Sequence, residues 1–153
     1  MKREIGNTLR VVSAALAITA AICLTNVGAF ADDELCSVAT LNGSYGTQST
    51  GSIVAFGPVG LVAEAGIIKF DGIGGVSQTT TVSLGGTIIP NRSSLSGNYL
   101  VNPDCTGDLA LVLPVPGGTT TSTFHFVIVD HGKEIRLVNT GAGRVIVGDA
   151  RKQ

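Results

Sequence analysis

The chain has no Trp, a single Met and only 5% aromatic residues, and charged side chains fill just 14% of its 153 positions. So little charge excludes a disordered tail, which stays unfolded through self-repulsion and low hydrophobicity. Lys and Arg form no run and the formal net charge is -1, so the polyelectrolyte attraction behind nucleic-acid binding has no source. Helical periodicity is missing after Ala31, which speaks against an α-helical domain. What is abundant is Gly, with 21 residues.

Lys2, Arg3 and Arg10 give a basic start, Val11 to Leu24 runs without a charge, and Ala29-Phe30-Ala31 supplies small residues where a signal peptidase cuts. Residues 1–31 therefore read as a Sec-type signal peptide cleaved after Ala31. Residues 32–153 read as one mature β-domain, secreted or periplasmic. The apolar run falls short of the roughly 20 residues of a membrane span, so none is expected in the mature chain. Ile22 in front of Cys23 argues against a lipoprotein.

Cys23 leaves with that leader. Cys36 and Cys105 remain in a compartment where thiols oxidise, and they are predicted to form a disulfide. Closing a loop of about 70 residues stabilises a fold by roughly 4 kcal/mol in the chain-entropy model. Neither a CxxC spacing nor a nearby companion His suggests a metal or redox pair, so no metal and no cofactor are expected.

Turn signals recur along the mature chain and cut it into short segments rich in Val, Ile, Thr and Phe. They are Phe56-Gly57-Pro58, Asp71-Gly72-Ile73-Gly74-Gly75, Gly85-Gly86, Asn102-Pro103-Asp104, Pro114-Val115-Pro116-Gly117-Gly118, His131-Gly132 and Thr140-Gly141. The strands between them cover about 43–56, 61–70, 75–84, 87–101, 106–113, 119–130, 133–139 and 143–149. No connection has room for a crossover helix, so neighbours pair antiparallel. The expected fold is all-β, an eight-stranded antiparallel up-and-down barrel, because closure removes both exposed edges. A two-sheet sandwich is the alternative, although Greek-key jumps and a buried Trp are missing.

Period-two alternation assigns inside and outside. Val62, Glu64, Gly66, Ile68 and Phe70 share the bulkier face of their strand, which places Glu64 inside the barrel. There a carboxyl group must find a donor or hold its proton. Arg92, Arg136 or Arg144 could supply the donor from a neighbouring strand. Phe124, Phe126 and Ile128 share a second inward face, with His125 opposite. Ser77, Thr79, Thr81 and Ser83 form a wetted exterior. Leu41-Asn42-Gly43-Ser44-Tyr45 echoes Leu95-Ser96-Gly97-Asn98-Tyr99, either as a duplicated half-barrel or as shared strand-opening chemistry.

Several runs carry a resemblance: Leu41-Asn42-Gly43-Ser44-Tyr45-Gly46, Phe70-Asp71-Gly72-Ile73-Gly74-Gly75-Val76-Ser77, Gly97-Asn98-Tyr99, Asn102-Pro103-Asp104-Cys105-Thr106-Gly107, Phe126-Val127-Ile128-Val129-Asp130 and Gly132-Lys133-Glu134-Ile135. Together they resemble a family of secreted bacterial proteins similar to the allene oxide cyclase-like barrel, a calycin-type fold shared with dirigent proteins. The resemblance spans nearly the whole mature chain and rests on turn and strand-opening residues. It implies an eight-stranded antiparallel barrel. Members of the wider superfamily steer ring closures in an apolar lumen, but no catalytic motif of theirs maps onto positions here. The Gly-x-Trp of lipocalins is replaced by Gly43-Ser44-Tyr45.

Catalytic chemistry is sparse. No nucleophile elbow, phosphate loop or zinc spacing occurs. His131 belongs to a hairpin tip and His125 to a strand, while Asp71, Asp108, Asp130, Glu134 and Asp149 stand at turns or strand ends. Glu64 is the candidate acid or base, since a carboxyl group in an apolar lumen can move a proton. Val62, Glu64, Ile68, Phe70, Tyr45, Tyr99, Phe124 and Phe126 are the candidate ligand-lining residues. Three function classes follow. The first is a non-enzymatic secreted barrel that binds a small apolar ligand or serves as an envelope component. The second is a cyclase or isomerase using Glu64, and the third an interaction module presenting Thr79 to Thr81 or Thr119 to Thr121. Filling of the lumen separates the first from a purely structural role.

Overall fold

The computed structural model describes residues 35–54 and 60–153. The expected leader and the Phe56-Gly57-Pro58 turn lie outside the described residues. Nine strands follow in order: β1 Asn42–Ile53, β2 Gly60–Asp71, β3 Val76–Leu84, β4 Thr87–Ser93, β5 Ser96–Val101, β6 Thr106–Val115, β7 Gly118–Val129, β8 Glu134–Asn139 and β9 Arg144–Lys152. Two single 3₁₀ turns, Val38–Thr40 and Asp130–Gly132, are the helical elements among the described residues. No helix there is long and apolar enough to cross a membrane.

The strands form one antiparallel sheet, β4-β3-β2-β1-β9-β8-β7-β6-β5, curled into a half-barrel. The first and last strands pair directly, from Tyr45 opposite Lys152 to Ile53 opposite Arg144. An isolated bridge between Gly75, just before β3, and Asn98 of β5 spans the opposite seam.

Nine strands replace the eight expected because the segment 87–101 divides. Its first part pairs with β3 and its second with β6. The switch falls between adjacent residues: the Ser94 amide donates to the Gln78 carbonyl, and the Leu95 amide to the Val112 carbonyl. Local chemistry prepares the break. Pro90 has no amide to donate, Asn91 is left-handed at φ 50°, and the β3–β4 register slips between Thr80 and Val82. A bulge of this kind bends the strand and raises its twist.

Alternation is otherwise obeyed. Along β2, Val62, Ile68 and Phe70 are buried while Leu61, Ala63, Ala65 and Lys69 are exposed. One end of the half-barrel is filled by Leu41, Tyr45, Ile68, Phe70, Tyr99, Leu111, Phe126, Ile128 and Ile135. Phe70 stands between two tyrosines, edge-on to Tyr45 at 5.4 Å and to Tyr99 at 5.0 Å. Edge-to-face contact suits aromatic quadrupoles and adds about 0.5–1.5 kcal/mol per pair beyond burial. The two members of the sequence echo thus meet on one ring.

The 3₁₀ turn Val38–Thr40 lies against this end, where the Tyr99 hydroxyl donates to the carbonyls of Val38 at 2.8 Å and Leu41 at 3.0 Å. The Cys36–Cys105 disulfide ties down the same segment. A smaller cluster, Val62, Val82 and Ile146 with Ile53 and Ile89, marks the other end.

Candidate functional site

At that second end the smaller cluster leaves the interior incompletely filled. They enclose a cavity of about 160 Å³ whose walls include Ile53, Val62, Val82, Leu113, Phe124 and Ile146, with Glu64, Gln78, Arg92, Ser122 and Arg144 as the main polar groups. β2 delivers Glu64, β3 Gln78, β4 Arg92, β7 Ser122 and β9 Arg144, so the polar wall draws on strands distant in the sheet order.

Glu64 points inward as its alternation requires and is half-buried. Its Oε1 accepts from Gln78 Nε2 and Thr80 Oγ1, and its Oε2 from Ser49 Oγ at 3.4 Å. All three donors are neutral. None of the arginines that sequence offered as partners pairs with Glu64 among the described residues. Arg136 pairs with Glu134 at 3.1 Å, while Arg144 donates to Ser122 Oγ at 3.0 Å and Thr120 Oγ1 at 3.2 Å. Arg92 makes no ion pair among the described residues, and its Nε is buried without a hydrogen-bond partner.

Two strand glycines put the hydroxyl donors in reach of Glu64. A Cβ on Gly66 would stand 2.6 Å from the Thr80 Cα, and one on Gly148 would stand 2.8 Å from the Ser49 Cβ. Neither contact is possible between real side chains, so only Gly lets these strands approach so closely. The sequence reading used Gly chiefly as a turn marker and missed this role. Its signal was an isolated Gly inside a strand pattern, which indicates close backbone approach.

The candidate lining residues divide into two groups. Val62, Glu64 and Phe124 line the cavity. Tyr45, Ile68, Phe70, Tyr99 and Phe126 belong to the packed end, and Phe124 touches that core as well. Gln78, Arg92 and Arg144 complete the polar wall without having been singled out as lining residues.

Other titratable groups stand away from the cavity. His125 is on the outer face, with Nδ1 3.0 Å from Asp108 Oδ1. His131 is exposed beside Asp130 on a turn where both are left-handed. Amides of Ile73 and Gly75 donate to Asp71 Oδ1 at 2.9 and 2.8 Å, which holds its carboxyl below the usual value. The hydroxyl and amide of Thr106 do the same for Asp104. Of the Thr79 to Thr81 face, Thr80 is buried. Among the described residues no group of three His, Cys, Asp or Glu is placed to hold a metal ion.

No protein-family description, curated protein or solved structure matches the chain.

Proposed function

We propose that this chain is a secreted, non-enzymatic barrel protein that holds one small apolar ligand. Strand order supports reading it as an eight-stranded up-and-down barrel of the calycin type. β4 and β5 then count as one long strand that changes partner at Ser94–Leu95. The Cys36–Cys105 disulfide supports export to an oxidising compartment.

The observation that carries the ligand reading is the division of the interior. Aromatic and aliphatic side chains fill one end, whereas the other keeps about 160 Å³ among apolar walls. An apolar void of about 150 Å³ admits a benzene-sized guest. A purely structural barrel gains stability by filling such a space, since voids forfeit dispersion contacts. Among the described residues Glu64 is the one carboxylate on the cavity wall, and three neutral donors engage it. That engagement supports a fixed polar element of the wall over a group poised to transfer protons.

The test is native mass spectrometry of the secreted protein beside the same sample after denaturing extraction. A stoichiometric small molecule retained in the first and released in the second is the expected result. An empty protein that also takes up no small apolar compound on titration overturns the reading.

A further inference from the structure

Charge on the cavity wall is unbalanced. Arg92 and Arg144 contribute two guanidinium groups against the single carboxylate of Glu64, and that carboxylate is engaged by Ser49, Gln78 and Thr80. Neither arginine has a carboxylate within ion-pair distance among the described residues. Arg144 is held in place by Thr120 and Ser122 on β7. Arg92 is different, because its Nε is buried and has no partner.

A desolvated guanidinium donor left unmatched is costly, since burial removes its water without returning a hydrogen bond. Arg92 stands opposite Thr80 in the β3–β4 register, which puts it in the same layer as the Glu64 cluster. Arg92 lines the cavity, and its two terminal nitrogens form the end of a planar fork that matches two coplanar oxygens.

We infer that the ligand is a small monocarboxylate with an apolar body, its carboxylate received by the Arg92 fork with Arg144 facing the same space. The inference rests on the ligand-binding reading above and names the chemical class of the guest. Apolar walls from Ile53, Val62, Val82, Leu113, Phe124 and Ile146 receive the body. A monoanion brings the formal charge of the wall to neutrality. A phosphate dianion overshoots it and brings no apolar surface.

Calorimetric titration of the exported protein with toluene, benzyl alcohol, benzoate and inorganic phosphate tests this. Benzoate should bind about tenfold more tightly than benzyl alcohol, the yield of one charge-assisted fork over a neutral hydroxyl. In Arg92→Gln that ratio should fall to about one. Arg92→Lys keeps the charge and loses the fork, so it should lower the ratio by about threefold or more, and it serves where the Gln variant does not fold.

Equal affinity for benzoate and benzyl alcohol in the unaltered protein overturns the carboxylate inference and leaves the cavity reading intact. Phosphate binding as tightly as benzoate overturns it in favour of a general anion site. An undiminished ratio in both Arg92 variants removes Arg92 from the role. Failure of toluene, benzyl alcohol and benzoate alike overturns the cavity reading itself.

Discussion

The Tyr45 hydroxyl donates to the main-chain carbonyl of Gly132 at 2.6 Å, joining β1 to the 3₁₀ turn before β8 across 87 residues of sequence. Both residues are buried, so Tyr45→Phe leaves a carbonyl without its donor. The expected loss is about 1–3 kcal/mol in the free energy of unfolding. Urea denaturation should show it as a lower midpoint with an unchanged slope.

Burial also pushes the hydroxyl pKa values of Tyr45 and Tyr99 above the ordinary 10.0. The unfolded chain therefore gives up these protons first. Their contribution to stability is fully present below pH about 10 and is lost as pH rises through the folded-state values. Melting temperature should hold steady between about pH 7 and 9 and fall above about 10, with a shallower fall in Tyr45→Phe.

Gly66→Ala probes the approach of β2 to β3. The added methyl would lie 2.3 Å from the Thr79 carbonyl oxygen, which is backbone and cannot swing away. Overpacking of this kind costs about 1–3 kcal/mol or more. Gly118→Ala is the control, since nothing lies within 4 Å of its Cβ. Thermal melts should separate the two variants by at least several degrees.

Replacing Cys36 and Cys105 together by Ser releases the segment beneath Tyr99. The bridge spans 69 residues of sequence, and its removal should cost about 2–5 kcal/mol. Amide hydrogen exchange should show the loss first around residues 36–41, because the tie acts there directly. Uniform loss of protection across the sheet would contradict this order.

Val82→Phe fills the cavity from β3. Val82 is buried and lines the void, so the larger ring has space that a packed core would deny it. Stability should change by less than about 1.5 kcal/mol while ligand retention disappears. Strong destabilisation with retention intact would show that the void lies elsewhere.

The all-β class, the antiparallel order, the inward face of β2 and the Cys36–Cys105 pair are legible in the order of residues. Each follows from simple rules: alternation, turn residues and the pairing of the two cysteines that lie beyond the expected leader. Three features emerge only once the sheet has formed. The segment 87–101 breaks into two strands because a Pro–Asn bulge coincides with a change of pairing partner, and pairing is not local. Tyr45, Phe70 and Tyr99 fill one end while Val62, Glu64 and Phe124 line a cavity at the other, because alternation gives a side chain's face but not its height in the half-barrel. Ser49, Gln78 and Thr80 engage Glu64, leaving the Arg92 Nε without a partner among the described residues. That choice depends on how closely glycines let neighbouring strands approach, a distance fixed only once the sheet has curled.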